Sequence, residues 1–405
     1  MSCIRRPARV ARSTLGLCVL AASALHAQQP VTRADAVAAA LARGARGAFG
    51  RADTALAAGV LRSARAFPNP SLAATYTKDV PHQHYIADLP LDLPWLRSPR
   101  IGAAASMRDA ARYGFALERA AIRFEVDTTY THALAALAHA RLSRRNAHDA
   151  DSLFQMARLR REVGDVSELD VRLAEVNAGQ LETVAVDDSL TGLEALLTVQ
   201  LTMGLAGDAP TITLADSLVP PADSAREVGE PLRVAAAAAS LRSQERALTL
   251  AHRNVFPAPS VQVGVETDDP GEPPGTLLPT VGLTLPLPLF NWNGGEIGQA
   301  RAARDRAQAN LDLTRRAAAA DAARARRDLT AAMERLARDR RLLASADRVA
   351  ALSLRAYAEG AIPLANVLEA QRNARDMLGR YIDDVARAND ARGTVRLLAA
   401  TVDQP

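Results

Sequence analysis

Residues 281–307 read VGLTLPLPLFNWNGGEIGQARAARDRA, and the character of the chain changes within this stretch. Residues 281–285 alternate apolar with small or polar side chains, as β-strands do. A tight turn is expected at Gly294-Gly295. Beyond it the chain is rich in Ala, Arg and Gln and lacks proline, which favours a helix. The stretch therefore predicts a strand that leads directly into a helix.

The helix predicted after this turn is very long. Apolar positions recur at three- and four-residue spacing over Gly298–Tyr357, and a helix of that length extends about 90 Å. Gly360 is expected to end it in the left-handed conformation, and Pro363 to prevent its continuation. Helical periodicity resumes over Leu364–Leu398. The pattern predicts a long antiparallel helical hairpin.

The same organisation occurs twice. Residues 67–71 (FPNPS) recur 189 positions later as residues 256–260 (FPAPS), and the turn at residues 163–165 recurs 196 positions later at residues 359–361. The separation changes only where loops could absorb the difference, and this behaviour is typical of an internal structural repeat. We predict two repeats, 28–225 and 226–405, each with a helix, two strands, a long helix, a tight turn and another long helix.

In the first repeat the hairpin is expected to ascend over Ile101–Glu162 and descend over Glu168–Met203, with Ser167 as the N-cap between them. Each repeat is also predicted to contribute two strands of about ten residues. Four strands leave two free edges, and in lipid every backbone polar group must be paired. A subunit of this kind is therefore expected to oligomerise.

The first 27 residues are expected to form a secretory signal peptide, because arginines precede a short apolar run that ends at Ala27. Both cysteines, Cys3 and Cys18, lie in this segment, so the mature chain would have neither a disulfide nor a thiol ligand. The bulky Leu17 disfavours lipidation of Cys18. The segment also holds the arginines behind the net charge of +4, so composition does not indicate nucleic-acid binding.

The signal peptide, the duplicated strand-strand-hairpin units, the FPxPS lead-in and the LPLPLFNWNGGEI motif resemble the TolC-type outer-membrane efflux proteins, in particular the CzcC-like heavy-metal branch. The resemblance implies a mainly α fold with a small β part, in which three subunits form a β-barrel that continues into a periplasmic α-helical barrel. It implies a passive exit channel of the Gram-negative outer membrane. Its expected partners are the membrane lipid, a periplasmic adaptor and an inner-membrane pump of the resistance-nodulation-division type. No catalytic residue, cofactor or nucleic acid is expected.

In such channels the two hairpin tips form the periplasmic entrance and meet the adaptor. The matching residues here are Val163, Gly164, Asp165, Val166, Ser167, Glu359, Gly360, Ala361, Ile362 and Pro363. Side chains just past the tips narrow the aperture of the family, and the equivalent positions here are Asp170, Asn366 and Glu369. Asn366 departs from the usual acid. The plain structural alternatives are helix C-caps for the glycines and a solvated helical face for the aperture residues.

Weaker signals accompany this pattern. Trp95 and Trp292 fall near the strand-to-helix junctions, where an aromatic girdle would meet lipid, although simple packing explains them equally. His82 and His84 have a spacing that metal sites use, but we interpret them as loop residues and predict no metal site. The arginines of residues 323–341 alternate with acids, and we interpret them as partners in ion pairs within and between helices.

The main rival interpretation is a periplasmic coiled-coil adaptor or structural protein without a pore. It accounts for the leader and the long helices. It does not account for the paired strands, nor for two hairpins in tandem. The transported substrate, whether metal ion, drug or another molecule, stays open.

Overall fold

The computed structural model describes residues 29–222 and 230–401. The expected signal peptide and the proposed repeat boundary at 225/226 lie outside these residues, and the division into two repeats remains a proposal. The helices are α1 (Arg33–Arg43), α2 (Ala45–Arg65), α3 (Pro94–Glu162), α4 (Glu168–Thr202), α5 (Leu232–Arg253), α6 (Gly294–Ala358) and α7 (Leu364–Ala399). The strands are β1 (Gln29–Val31), β2 (Ser71–Tyr76), β3 (Gln83–Pro90), β4 (Ile212–Leu214), β5 (Ser260–Thr267) and β6 (Leu278–Thr284).

Two long hairpins, α3–α4 and α6–α7, confirm the predicted helical organisation. With 69 and 65 residues, α3 and α6 are each about 100 Å long. Both begin earlier than predicted. α3 begins at Pro94, because proline is tolerated in the first helical turn, where its missing N–H needs no partner.

The start of α6 also corrects the sequence-based prediction. Gly294-Gly295 is not a separate turn but forms the first residues of α6, which begins four residues before Gly298. The turn lies instead at Asn293, in the left-handed conformation with φ of 58°. Its side-chain Nδ2 donates to the carbonyl of Ala251 at 2.9 Å, which fastens the start of α6 to the end of α5.

Strands from both proposed repeats form one antiparallel sheet in the order β2-β3-β5-β6. The pair Ala87↔Val263 joins β3 to β5 at the centre of this sheet, and Val263↔Val281 joins β5 to β6. The strands are 6 to 8 residues long, shorter than the ten predicted. β2 stops at Tyr76 because Thr77 begins a turn, in which its N–H donates to the His82 carbonyl at 2.8 Å.

A second, two-stranded sheet was missed by the sequence analysis. β1 and β4 pair in parallel, with Val31 opposite Leu214. Beneath them lies Tyr130 of α3, which is fully buried and donates its hydroxyl to the Val31 carbonyl at 2.8 Å. Strands of three residues are too short to show a period in sequence, so only tertiary contacts with α1, α3 and α4 define them.

The helices form a layer with a definite order. α3 packs against α4 on one side and α7 on the other, and α7 packs against α6. In the half nearer the four-stranded sheet, α2 and α5 take the places of α4 and α7 beside α3. The layer therefore ends at α6 on one side and at α2 and α4 on the other.

Two histidine–aspartate pairs fasten the hairpins together. His132 Nε2 lies 2.7 Å from Asp390 Oδ2, and His139 Nε2 lies 2.8 Å from Asp383 Oδ1. The two histidines are seven residues apart on α3, and the two aspartates are seven apart on α7, so both pairs lie on one line between the helices. They fix the relative height of the first and second hairpins.

The expected ion pairing of the arginines in residues 323–341 is wrong for a single chain. Within residues 29–222 and 230–401, the ion pairs involving α6 join Arg233 to Asp321 and Arg304 to Asp305, both outside that segment. The reason lies in the packing order. The strongly acidic helix α4 is two helices away from α6, so its carboxylates are out of reach within one copy.

Candidate functional site

The first hairpin turns at Gly164. Its φ is 83°, its N–H donates to the carbonyl of Arg161 at 3.0 Å, and the N–H of Asp165 donates to the carbonyl of Arg160 at 2.9 Å. These two bonds satisfy carbonyls that the end of α3 would otherwise leave unpaired. A Cβ at Gly164 would meet open space, so the backbone conformation alone selects glycine here.

The second hairpin repeats this geometry at Gly360. Its φ is 76°, its N–H donates to the Tyr357 carbonyl at 2.9 Å, and the Ala361 N–H donates to the Ala356 carbonyl at 2.8 Å. The predicted role of both glycines in ending the helices is therefore confirmed, although the C-cap residues themselves are Val163 and Glu359 and each glycine directly follows one of them. Their role in docking an adaptor stays a prediction.

The helices that follow the two turns begin differently. Ser167 is the N-cap of α4, as predicted: its Oγ accepts from the Asp170 N–H at 3.2 Å, and Asp170 Oδ2 accepts from the Ser167 N–H at 3.2 Å. At the second tip the N-cap is Pro363, which has no side-chain cap to offer. Asp170 is thus engaged in a capping box. Asn366, at the equivalent position of the second tip, is exposed and does not take part in a capping box.

A small apolar core holds the two tips against each other. It contains Leu153, Ala157, Ala174, Tyr357, Leu364 and Val367, with Val367 fully buried. Because these residues come from α3, α4, α6 and α7, the core joins both hairpins. The tips of one chain therefore act as a single packed unit.

Arg160 reinforces this core. Its Nη1 donates to the Tyr357 carbonyl at 2.9 Å, and its guanidinium lies 5.0 Å from the centre of the Tyr357 ring. Burial raises the pKa of Tyr357, the Asp170 carboxylate raises it further, and Arg160 opposes the rise. The sequence analysis missed this contact, since the two residues are 197 positions apart. The sequence offered one indication of this contact: Arg160 and Tyr357 lie within four residues of Gly164 and Gly360, respectively.

The predicted aperture residues do not share one site: Glu369 lines a groove that Asp170 and Asn366 do not line. Glu369 is exposed on α7 and accepts a hydrogen bond from Asn373 Nδ2 at 3.3 Å. It lines a groove of about 820 Å³ between α4 and α7, with Leu173 and Arg372 among the other lining residues. Asp170 does not line this groove, because its carboxylate turns back to Ser167.

The strand-to-helix junctions expose aromatic side chains. Trp95 is the second residue of α3 and 52% exposed, and Trp292, just before α6, is 61% exposed. Phe290 beside it is 99% exposed. The junction position of both tryptophans is confirmed. Packing within the described chain does not cover them, and their contact with lipid stays a prediction.

A buried ion-pair cluster, also missed from sequence, fixes the first junction. The Asp92 side chain is 2% exposed and lies 2.5 Å from Arg97 Nη1 and 2.8 Å from Arg100 Nη2. Arg97 and Arg100 also donate to the carbonyls of Arg65 and Ala64. The cluster therefore ties the end of β3, the start of α3 and the end of α2 together.

The interpretation of both histidines as loop residues is half wrong: His82 lies in the turn before β3, whereas His84 lies within β3, opposite Thr75 and Glu266. His84 Nε2 lies 3.0 Å from Thr77 Oγ1 and His84 Nδ1 lies 3.3 Å from Glu266 Oε1, while His82 Nδ1 lies 3.2 Å from the Thr77 carbonyl. Across residues 29–222 and 230–401, no group of three or more His, Cys, Asp or Glu side chains is arranged to hold a metal ion. Nor does any helix in those ranges combine the length and apolarity needed to cross a membrane.

A small antiparallel sheet that carries two long helical hairpins is the fold that the resemblance in sequence implied. The chain is similar in structure to a membrane protein from Pseudomonas aeruginosa, with a TM-score of 0.76 at 20% identity over 91% of this chain and 93% of that one. It is also similar to the outer membrane protein VceC from Vibrio cholerae, with a TM-score of 0.73 at 15% identity over 91% and 95% of the two chains. These likenesses show the fold.

Sequence comparison finds similarity to outer-membrane efflux proteins. Over 260 residues the chain is 26% identical to the cobalt-zinc-cadmium resistance protein CzcC of Cupriavidus metallidurans, a match that spans 62% of this chain and 61% of that relative. The family model described as outer membrane efflux protein matches residues 230–401. Residues 230–401 therefore carry the sequence pattern of outer membrane efflux proteins.

Proposed function

We propose that this chain is one subunit of a trimeric, passive exit channel in a tripartite efflux system. The observation that carries the proposal is the open architecture of a single copy. The sheet ends at β2 and β6, and the helical layer ends at α6 and at α2 and α4. Since one copy encloses no lumen, three copies placed edge to edge would supply a twelve-stranded barrel and the helical tunnel below it.

The two tips are the proposed contact for the periplasmic adaptor. Gly164 and Gly360 give both tips the same tight shape, and the apolar core around Tyr357 holds them at one height. A partner would therefore meet two similar turns in a fixed arrangement. The exposed side chains Val163 and Glu359 lie on this surface.

We also propose that Glu369 faces the aperture. Three copies would bring three of these exposed carboxylates together, and such a ring favours cations. Asp170 contributes less, because its carboxylate caps α4. The groove that Glu369 lines also carries Arg372 and Arg375, so the local field is mixed in sign.

The proposed energy source is an inner-membrane pump of the resistance-nodulation-division type, since nothing in the channel itself drives transport. The match to CzcC favours metal ions as the exported substrate, with small molecules as the alternative. In either case the channel would not bind a cofactor or carry out chemistry. Its contribution would be a water-filled path across the periplasm and the outer membrane.

Expression of the full precursor in a Gram-negative host, followed by membrane fractionation and planar-bilayer recording, tests the proposal. A trimer in the outer-membrane fraction with discrete conductance steps is expected. A soluble periplasmic product without conductance would refute the channel and support the adaptor interpretation.

A further inference from the structure

Two helices form the free edges of the helical layer in its tip half. α4 lies at one edge, where its inner side packs on α3, and α6 lies at the other edge, where it packs on α7. Edge helices usually present a polar outer side to solvent. Here each outer side also carries exposed apolar residues, among charges that are mostly of one sign.

The charges at the two edges are opposite. α4 contains seven carboxylates and one arginine, whereas α6 contains fourteen arginines and eight carboxylates. Over residues 324–358, the part of α6 nearest the tip, nine arginines stand against four carboxylates. The helix at one edge is therefore acidic and the helix at the other edge is basic.

Charges at the middle of each edge form no ion pair among the described residues. Asp187 and Glu194 of α4 are exposed and lie seven residues apart, hence on one side of the helix. Arg338 and Arg341 of α6 are exposed and lie three residues apart. In the described ranges none of these four side chains forms an ion pair.

Contacts through the layer place the charged residues of α4 and those of α6 at the same position along the long axis of the hairpins, that is, at the same height. α4 lies against α3 at Gly192, α3 pairs with α7 through His139, and at that level α7 packs on Leu336 of α6. Residues 187–194 of α4 and residues 336–343 of α6 are therefore level to within about one helical turn. In a ring of copies that share one axis, this height is preserved between neighbours.

Apolar side chains accompany the charges at this height. Leu190 of α4 is 55% exposed and Leu342 of α6 is 48% exposed. Val349, one heptad beyond Leu342, is 56% exposed. An apolar seam flanked by opposite charges is the pattern by which two helices pair side by side.

We propose that α4 of one copy docks against α6 of the next copy, with Asp187 and Glu194 facing Arg338 and Arg341. The contact rests on the proposed trimeric channel and specifies what closes its helical ring. The free strand edges agree with it, since β2 follows α2 on the α4 side and β6 precedes α6. The rotation that relates one copy to the next therefore brings β6 next to β2 of the neighbour and α6 next to α4 of the neighbour.

Charge reversal tests the contact. Asp187→Arg with Glu194→Arg, or Arg338→Glu with Arg341→Glu, places like charges across the interface, and each double variant should weaken trimer formation at least about tenfold. All four changes together should restore it. The matched control, Asp151→Arg with Glu182→Arg, makes the same charge change at two exposed carboxylates and should leave the trimer fraction unchanged, because Asp151 is on α3 and Glu182, five residues before Asp187, lies on another side of α4. Trimer fraction is measured by light scattering of detergent-purified protein.

Disulfide formation gives an independent result. In Leu190→Cys with Leu342→Cys, α3 and α7 separate the two positions within one copy, so oxidation should give covalent dimers and trimers only through neighbouring copies. Val184→Cys with Leu342→Cys is the control, because Val184 lines the groove between α4 and α7 of its own chain. It should remain uncrosslinked.

The outcomes separate this contact from the proposed function. A wild-type trimer that shows neither the disulfide ladder nor restoration by the fourfold variant would overturn the α4–α6 contact and leave the channel standing. A wild-type protein that is monomeric in the membrane would overturn the trimeric channel itself. Equal crosslinking in the control pair would also count against the contact.

Discussion

Replacement of Gly360 with alanine should destabilise the tip by about 1 kcal/mol. The left-handed conformation costs a residue with a Cβ about 1–2 kcal/mol. Alanine regains about 0.4–1 kcal/mol because it restricts the unfolded chain. No steric term enters, since a Cβ at this position would meet open space. The net loss therefore comes from the φ of 76° alone.

The assay is thermal unfolding of the purified trimer, followed by circular dichroism at fixed protein concentration, because assembly contributes to the midpoint. Gly360→Asn should lose less than Gly360→Ala, since asparagine tolerates the left-handed region. Gly179→Ala is the matched control. Gly179 lies inside α4 with open space around it, so alanine should raise the midpoint there.

A Gly360→Ala variant as stable as the wild type would refute the conformational argument. The functional consequence is tested separately with Gly360→Val. If the tip docks an adaptor, this variant should lose efflux while the trimer persists. Loss of efflux and trimer in equal measure would leave the glycine with a structural role only.

Three further predictions concern the helical layer. Tyr357→Phe should leave the free energy of unfolding unchanged or raise it, since the buried hydroxyl has no hydrogen-bond partner among the described residues. Chemical denaturation measures this free energy, and a decrease would contradict the prediction. A hydrogen bond with Asp384, together with burial, raises the pKa of Asp339 above its ordinary value of 3.8. Protonated Asp339 therefore stabilises the fold. This contribution is complete below pH 3.8 and is lost as the pH rises through the raised pKa. Asp339→Asn should therefore raise the unfolding midpoint more at pH 7.5 than at pH 4, and an equal rise at both would contradict the assignment. Glu369→Ala should reduce cation block of single-channel current, and unchanged block would remove Glu369 from the aperture.

The helical hairpins could be predicted because their signals are local. Long proline-free stretches with helical periodicity predicted α3, α4, α6 and α7, and the turn glycines marked where each hairpin reverses. Ser167 was found in the same way, since an N-cap is defined by its immediate neighbours. The boundaries at Pro94 and Gly294 were missed, because a residue that usually ends helices is tolerated in the first turn.

The strand lengths and the short parallel sheet were less predictable. Alternation located all four strands of the larger sheet, but it did not show that Thr77 already belongs to a turn. β1 and β4 contain three residues each and depend on Tyr130 for their position. Neither feature has a local pattern long enough to detect.

In the candidate site, too, the sequence predicted the local features and missed the contacts between distant residues. The sequence placed Gly164 and Gly360 at the tips, and the structure confirms both positions. It could not show that the Asp170 carboxylate caps α4, because the same residue in a solvated helix has the same local sequence. It also could not reveal the contact between Arg160 and Tyr357.

What the sequence determined by itself is the set of elements, the turns between the long helices, the family resemblance and the total of charges. What only the tertiary structure decided is the order of the helices in the layer. That order puts acidic α4 and basic α6 at opposite edges and leaves Asp187, Glu194, Arg338 and Arg341 without an ion pair among the described residues of one copy. The physical reason is that periodicity reports which side of a helix is apolar, whereas the identity of the neighbour depends on contacts between residues hundreds of positions apart.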